Sequence, residues 1–398
     1  MGDAPSKLAG WANQALATAW RRKLLPRPVL DADALEAAAL NGRNSARLGP
    51  DTGWREPMRF LVEALREEAN LNPLGLAMAH GQIVQVLRAR MRAVALWTRR
   101  PEILEQPLAP PIVIVGPMRS GTTRLQRLLA CDARLSHTRM FETLHPIPFG
   151  RGRGGADSRP LRTRLALAAL ERFNPAVATI HPTGAYDPEE EFGLFSFSFG
   201  SPQFEAQWRI PSFTAWWESA DKKRLYKEIR ALLQTIAWNR RQPPNLPWIL
   251  KAPQFMEDLP ALLDVFPSAR LLCLDRPLEK VVASSASLVW NQMRIQSDAA
   301  DPAWIGAEWL RKTRLRQRIA DETRRARPDM SQLDLHYEAM DRDWRAEMRR
   351  IYDFLGLDFA TDVERRMVAY LRRARRHHGH RYSLEQFGLS AASLARPA

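Results

Sequence analysis

Between Gly116 and Thr123 the chain reads Gly-Pro-Met-Arg-Ser-Gly-Thr-Thr, a run whose residue types suit the holding of an anion. Gly116 and Gly121 let the backbone curl closely around a ligand. Ser120, Thr122 and Thr123 bring hydroxyl groups, and Arg119 a guanidinium. The four residues before this loop, Ile112 to Val115, form a continuous apolar run of the kind found in buried parallel strands. Those after it place Leu125, Leu128 and Leu129 on one helical face. A strand, a glycine turn and a helix in that order aim the first free amide hydrogens of the helix, and its dipole, at a phosphate.

The spacing almost matches the GxxxxGK[ST] loop of nucleotide triphosphatases, but Thr122 stands where that loop needs its lysine. This argues against ATP or GTP hydrolysis. A small-molecule kinase, the nearest enzymatic alternative, would need that lysine and a Mg²⁺ carboxylate.

The elements that must position the loop are legible on either side of it. Met58, Leu61, Val62 and Leu65, and then Val84, Leu87, Met91 and Val94, recur at helical spacing, so residues 30 to 100 read as helices. Prolines between 101 and 111 mark a connector into the first strand. Trp248 to Leu250, Arg270 to Leu274 and Leu333 to Tyr337 share strand character, and each precedes a helical pattern. The expected fold is α/β: a P-loop-like parallel sheet flanked by helices on both faces, with an N-terminal helical segment. Residues 1–105 read as a helical extension packed on a main domain of residues 106–398. Ligands of such sheets bind at the carboxyl ends of the strands.

At 398 residues and 45% hydrophobic content, the chain can bury a sizeable core without disulfides, and Cys131 and Cys273 sit in no metal-ligand spacing. No apolar run is long enough to span a bilayer and no signal-peptide core opens the chain, so a cytoplasmic enzyme without a metal is expected. The net charge of +15 suits nucleic acid, an anionic membrane or a polyanionic small ligand. A basic nucleic-acid-binding protein is therefore the alternative from another class, but no zinc-finger, RNP-type or basic-zipper signature accompanies the charge. The basic runs at Arg311 to Arg327 and Arg365 to Arg376 read as solvated helix faces.

With its RSGTT loop the sequence resembles the superfamily of sulfotransferases that use 3′-phosphoadenosine 5′-phosphosulfate (PAPS), in particular its broad bacterial branch. Trp248-Ile249-Leu250-Lys251-Ala252-Pro253-Gln254 is similar to that branch's WxLKxP segment, and Phe266-Pro267-Ser268-Ala269-Arg270 to its FPxAR lead into a strand. Asp275-Arg276-Pro277-Leu278 through Ser284 resembles a motif in which an Arg and a Ser eight residues later grip the 3′-phosphate of PAPS. Arg276 ends a strand and Ser284 lies about two turns into the next helix, so both can face one phosphate. His336-Tyr337-Glu338 and His378 to Leu384 resemble the downstream YE stretch and the nucleotide-covering loop. The resemblance thus implies a PAPS site of Arg119, Ser120, Gly121, Thr122, Thr123, Arg276, Ser284, Tyr337, His380 and Arg381. It departs from the family where Asp275 and Leu278 flank Arg276 in place of the usual His-Arg-Asp-Pro, and where Pro253 and Phe255 replace histidines.

Sulfuryl transfer requires alignment of nucleophile, sulfur and leaving oxygen, and neutralisation of charge on the leaving phosphate. Arg119 and Lys251 are the candidates for neutralisation. His181 to Glu191 resembles the family's HPxGAxxPEE stretch, and Glu190, near Phe192, Phe195 and Phe197, is the candidate base, with His145 and His181 in reserve. An acidic helix start at Glu189 to Glu191 explains the same residues equally well. The aromatic run from Phe192 to Trp217 suits either an apolar acceptor pocket or ordinary core packing. The acceptor is a hydroxyl or amine on a small molecule, lipid or carbohydrate; nucleic acid is not expected as a partner, and a homo-oligomer is permitted.

Overall fold

The computed structural model describes residues 7–150, 157–175, 182–374 and 383–395. Five parallel strands form one sheet: β1 (Ile112–Val115), β2 (Ser136–His137), β3 (Trp248–Lys251), β4 (Arg270–Asp275) and β5 (Gln332–His336), in the order β2-β3-β1-β4-β5. β1 is central, pairing Ile112 with Ile249 of β3 and with Arg270 of β4. Strand order reverses around β1, so the crevice at its carboxyl end lies where open α/β sheets bind ligands.

The period-2 geometry of strands sorts their side chains onto two faces. Val113, Val115, Leu250, Leu271 and Cys273 belong to one buried cluster with Leu232, Leu233 and Ile236 of the helix Lys223–Arg240, against which the helix Pro73–Arg99 lies, Arg90 meeting Glu228 and Trp97 meeting Thr235. Ile112, Ile114, Ile249, Leu272 and Leu274 point the other way, onto Leu125, Leu128, Leu129, Met348 and Ile351. Both faces are covered by helices, as continuous apolar strands require.

The helices that build the site are α1 (Pro73–Arg99), α2 (Thr122–Leu129), α3 (Arg159–Phe173), α4 (Lys223–Arg240), α5 (Leu278–Gln296) and α6 (Pro302–Ala326). The start of α1 is fastened to the end of α5. Asn72 accepts from the Gly75 amide at 2.9 Å and donates to the Ile295 carbonyl at 3.0 Å. A Cβ on Gly75 would stand 2.0 Å from the Gln296 carbonyl oxygen, so only glycine permits this approach.

Several elements went unforeseen, among them the helices Arg159–Phe173 and Lys223–Arg240, strand β2 and the first helix. β2 has two residues, too few to show an alternating pattern. The helix Lys7–Arg21 carries Leu8, Trp11, Ala15, Leu16 and Ala19 at helical spacing, a pattern that went unread, and it fully buries only Ala9. The stretch from Arg311 onward departs from the solvated face expected of it. Lys312 and Arg316 of α6 are buried, because Glu205, Glu218 and Glu257 arrive from other segments to pair with them.

Candidate active site

The loop after β1 is shaped by two left-handed residues: Arg119 has φ +65° and Gly121 φ +89°. For Arg119 this conformation costs about 1 kcal/mol or more, and such strain clusters at ligand clamps. Ser120 is buried, its hydroxyl donating to the Pro117 carbonyl at 2.7 Å, so it braces the turn from inside. Gly121 lies against Tyr337, where a Cβ would come within 2.9 Å of the ring. α2 begins immediately after it, with Thr122 and Thr123 in its first turn.

The side chains expected to hold the 3′-phosphate converge on this loop. Arg119 Nε donates to Ser284 Oγ at 3.0 Å. Arg276 Nη1 donates to the Arg119 carbonyl, and its guanidinium carbon stands 4.0 Å from the centre of the Tyr337 ring. Asp275, the carboxylate that replaces the family's histidine, is exposed and does not line the cavity, whereas the half-buried Arg276 does. His380 and Arg381, the remaining nucleotide candidates, lie outside the described residues, as does His181.

Lys251 ends β3 with its side chain 1% exposed. Its Nζ donates to Thr123 Oγ1 at 3.0 Å and pairs with Glu190 Oε1. Its amide donates to Glu191 Oε2 at 2.7 Å, and Glu191 Oε1 accepts from the Thr138 hydroxyl at 2.9 Å. The two carboxylates therefore diverge: Glu191 clamps the strand end from inside, and Glu190 faces the lysine at the cavity. Burial pushes the Glu191 carboxyl up to about 8, against the pull of these two donors. The helix Phe192–Ser196 follows, but both side chains are engaged with Lys251 rather than with its dipole.

Sequence reading missed the anchors of this acidic segment. The Glu189 carbonyl accepts from Gln126 Nε2 of α2 at 3.1 Å and from Thr138 Oγ1 at 2.8 Å. Met140 and Phe141 amides donate to the carbonyls of Asp187 and Ala185. The segment is thus laid along the chain that leaves β2, and no local pattern marks that pairing. His145 is not among the residues lining the cavity, and burial, with Arg92 and Arg159 nearby, lowers its imidazole to about 4.

A cavity of about 430 Å³ joins these parts. At one end it is lined by Arg119, Gly121, Thr122, Thr123, Arg276 and Tyr337, with Glu190 alongside. Its apolar wall comes from Met78 of α1, Met118, Met140, Leu144, Leu170 of α3 and Leu288 of α5. Gln207, Gln292, Glu205 and Arg316 add polar surface. Of the aromatic run from Phe192 to Trp217, Phe192 lines the cavity, whereas Phe195, Phe199, Phe204, Phe213 and Trp217 belong to the core. Core packing, not an aromatic pocket, explains most of that run. The apolar wall is built instead by residues from helices distant in sequence.

The model of the sulfotransferase family matches residues 110–361, more than half of the chain. The chain belongs to the sulfotransferase family. An omega-hydroxy-beta-dihydromenaquinone-9 sulfotransferase, Stf3, of Mycobacterium bovis is 27% identical over 276 residues, covering 64% of this chain and 65% of that protein. The Stf3 of Mycobacterium tuberculosis matches to the same extent. This chain thus spans just under two thirds of the curated relatives it matches. The crystal structure of sulfotransferase STF1 from Mycobacterium tuberculosis superimposes with a TM-score of 0.79 at 25% identity, over 93% of this chain and 99% of that one. The fold of STF9 from Mycobacterium avium matches with a TM-score of 0.78 at 24% identity, over 92% and 94%. The matched span of the family model holds β1 through β5 and every described residue of the donor end.

Proposed function

We propose that the chain transfers a sulfuryl group from PAPS to a hydroxyl or amine of an apolar acceptor. The observation that carries this reading is the meeting of Arg119 with Ser284, at 3.0 Å, beneath the Arg276 guanidinium. Residues 165 apart in sequence come together at the mouth of a left-handed glycine loop, where cations, hydroxyls and helix amides surround one space. That donor set fits an adenosine bisphosphate: the loop and α2 for the 5′ end, Arg276 and Ser284 for the 3′ phosphate, Tyr337 beside them.

In the reaction the sulfur–oxygen bond to the leaving phosphate breaks as a bond from the acceptor oxygen or nitrogen to sulfur forms. Arg119, the loop amides and Thr123, itself held by Lys251, meet the charge that gathers on the leaving oxygen. Glu190, in contact with the cavity, takes the acceptor proton. Lys251 pairs with Glu190 and so holds its carboxylate at the cavity beside Thr123. The apolar wall, and a relative whose acceptor is an omega-hydroxylated menaquinone, support an elongated apolar acceptor that carries a hydroxyl.

The test is incubation with PAPS labelled in its sulfur, with long-chain alcohols and a lipid extract as acceptors. Labelled organic-phase product, inhibited by adenosine 3′,5′-bisphosphate and not by ATP, is the expected outcome. Absence of bisphosphate binding would remove the donor assignment.

A further inference from the structure

The helix Lys7–Arg21 packs on two helices that supply apolar lining residues of the cavity. Asn13 Oδ1 accepts from the Leu74 amide at 2.8 Å, one turn before Met78, which lines the cavity. The same helix touches α3, whose Leu170 lines it as well. On their outer sides these two neighbours leave large apolar groups in solvent. Trp11 is 68% exposed, and Leu24, held to the helix end by its amide bond to the Ala19 carbonyl, is 71% exposed. On α3, Leu161 and Leu165, one turn apart, are 60% and 64% exposed. The protein buries most of its other leucines almost completely, so this grouping calls for an occupant.

Charge identifies that occupant. Residues 7 to 29 contain Lys7, Arg21, Arg22, Lys23 and Arg27 and no Asp or Glu. α3 adds exposed Arg162, Arg164 and Arg172 against Glu171, while Asp157 just before it is tied to the buried Arg159. Apolar side chains interleaved with lysine and arginine match the interface of a bilayer, with acyl chains for the first and anionic headgroups for the second. A second copy fits less well, because a self-complementary contact would set one basic face against another. Among the described residues no helix is long and apolar enough to cross a membrane.

We propose that the face formed by the helix Lys7–Arg21, the turn through Leu25 and the outer side of α3 docks on an anionic lipid surface, bringing the apolar end of the cavity to the bilayer. This adds a place of capture to the apolar acceptor proposed above, but stands on other residues and needs no sulfuryl donor.

The experiment is co-sedimentation of the full chain with vesicles of phosphatidylcholine alone, or with about 30 mol% phosphatidylglycerol, at about 0.1 and 0.5 M salt. Binding at least about tenfold stronger to the anionic vesicles, weakened but not abolished by salt, is expected. The double variant Trp11→Ser with Leu165→Ser should weaken vesicle binding about tenfold and leave bisphosphate affinity and melting temperature unchanged. Equal binding to both vesicles, or no loss in the variant, overturns the proposal. So does a dimer in sedimentation velocity that the variant dissolves, which would make this face a subunit interface. Vesicle binding is read without PAPS, so its failure leaves the sulfuryl-transfer reading standing, and failed bisphosphate binding leaves this one.

Discussion

Lys251 and Lys312 are equally hidden, each with a side chain 1% exposed, yet their surroundings assign them different work. Lys312 Nζ has three carboxylates around it, Glu205 at 3.1 Å, Glu218 at 3.0 Å and Glu257 at 3.0 Å. Arg316 stands beside it, 2.9 Å from Glu257 and 2.7 Å from Glu205. Burial alone would lower the Lys312 ammonium, but Glu205 and Glu257 outweigh it and hold the group above its usual range. Every donor of this ammonium meets an acceptor, which is the condition for a buried ion to be structural. Lys251 has one carboxylate, Glu190, and one hydroxyl, Thr123, and both line the cavity. Burial does not distinguish a structural cation from a working one. The difference lies in how fully the partners satisfy it: three carboxylates surround Lys312, although Glu205 also lines the cavity, whereas Lys251 meets one carboxylate and one hydroxyl there.

The comparison can be broken most directly at Lys312. Lys312→Ala removes the ammonium shared by Glu205, Glu218 and Glu257, leaving three carboxylates to Arg316 and Arg311, and is expected to cost about 3–5 kcal/mol of stability, read as a shift in urea midpoint. Bisphosphate affinity of the folded fraction should change less than about threefold. An unshifted midpoint would show that the cluster is not structural.

At the cavity the loss should appear in rate. Glu190→Gln is expected to lower turnover about a hundredfold, with bisphosphate affinity nearly unchanged, in single-turnover assays with labelled PAPS. A wild-type rate would move the base elsewhere. Lys251→Met should follow Glu190→Gln in turnover while losing less stability than Lys312→Ala; the reverse ranking would erase the contrast between the two lysines.

Arg276→Ala should weaken adenosine 3′,5′-bisphosphate binding by about 2 kcal/mol, close to thirtyfold, in titration calorimetry. Unchanged affinity would detach Arg276 from the 3′-phosphate.

The last effect belongs to Glu191 and is a slope with pH. Its carboxyl is raised from 4.5 to about 8 on folding, so its share of stability is fully present below about 4.5 and is lost as pH rises through about 8. Relative to Glu191→Gln, the wild type should lose stability steadily between pH 5 and 8, read from urea midpoints across that range. Parallel stability curves would mean that Glu191 titrates alike in both states.

Local order was the legible part of this protein. The β1–loop–α2 unit, the strands around Trp248, Arg270 and Leu333, and the eight-residue interval from Arg276 to Ser284 are written in contiguous residues, because strand period, glycine freedom and helix period act over a few positions. The sequence also marked the acidic stretch at Glu189 to Glu191, but offered a base and a helix start as equals. It named the aromatic run without saying whether it lines a pocket or fills a core.

Tertiary structure decided those matters, since each depends on partners far away in the chain. Glu190 and Glu191 part ways only because the end of β3 supplies Lys251 as ammonium to one and as backbone amide to the other. Lys312 and Arg316 leave a run that looked solvated because three carboxylates converge on them. The apolar cavity wall of Met78, Leu170 and Leu288 needs three helices to meet, one of them at an approach that Gly75 alone allows. Backbone propensity and short-range spacing are properties of a segment and can be read from it. Burial, pairing and cavity walls are properties of contacts, and exist only once the chain has closed on itself.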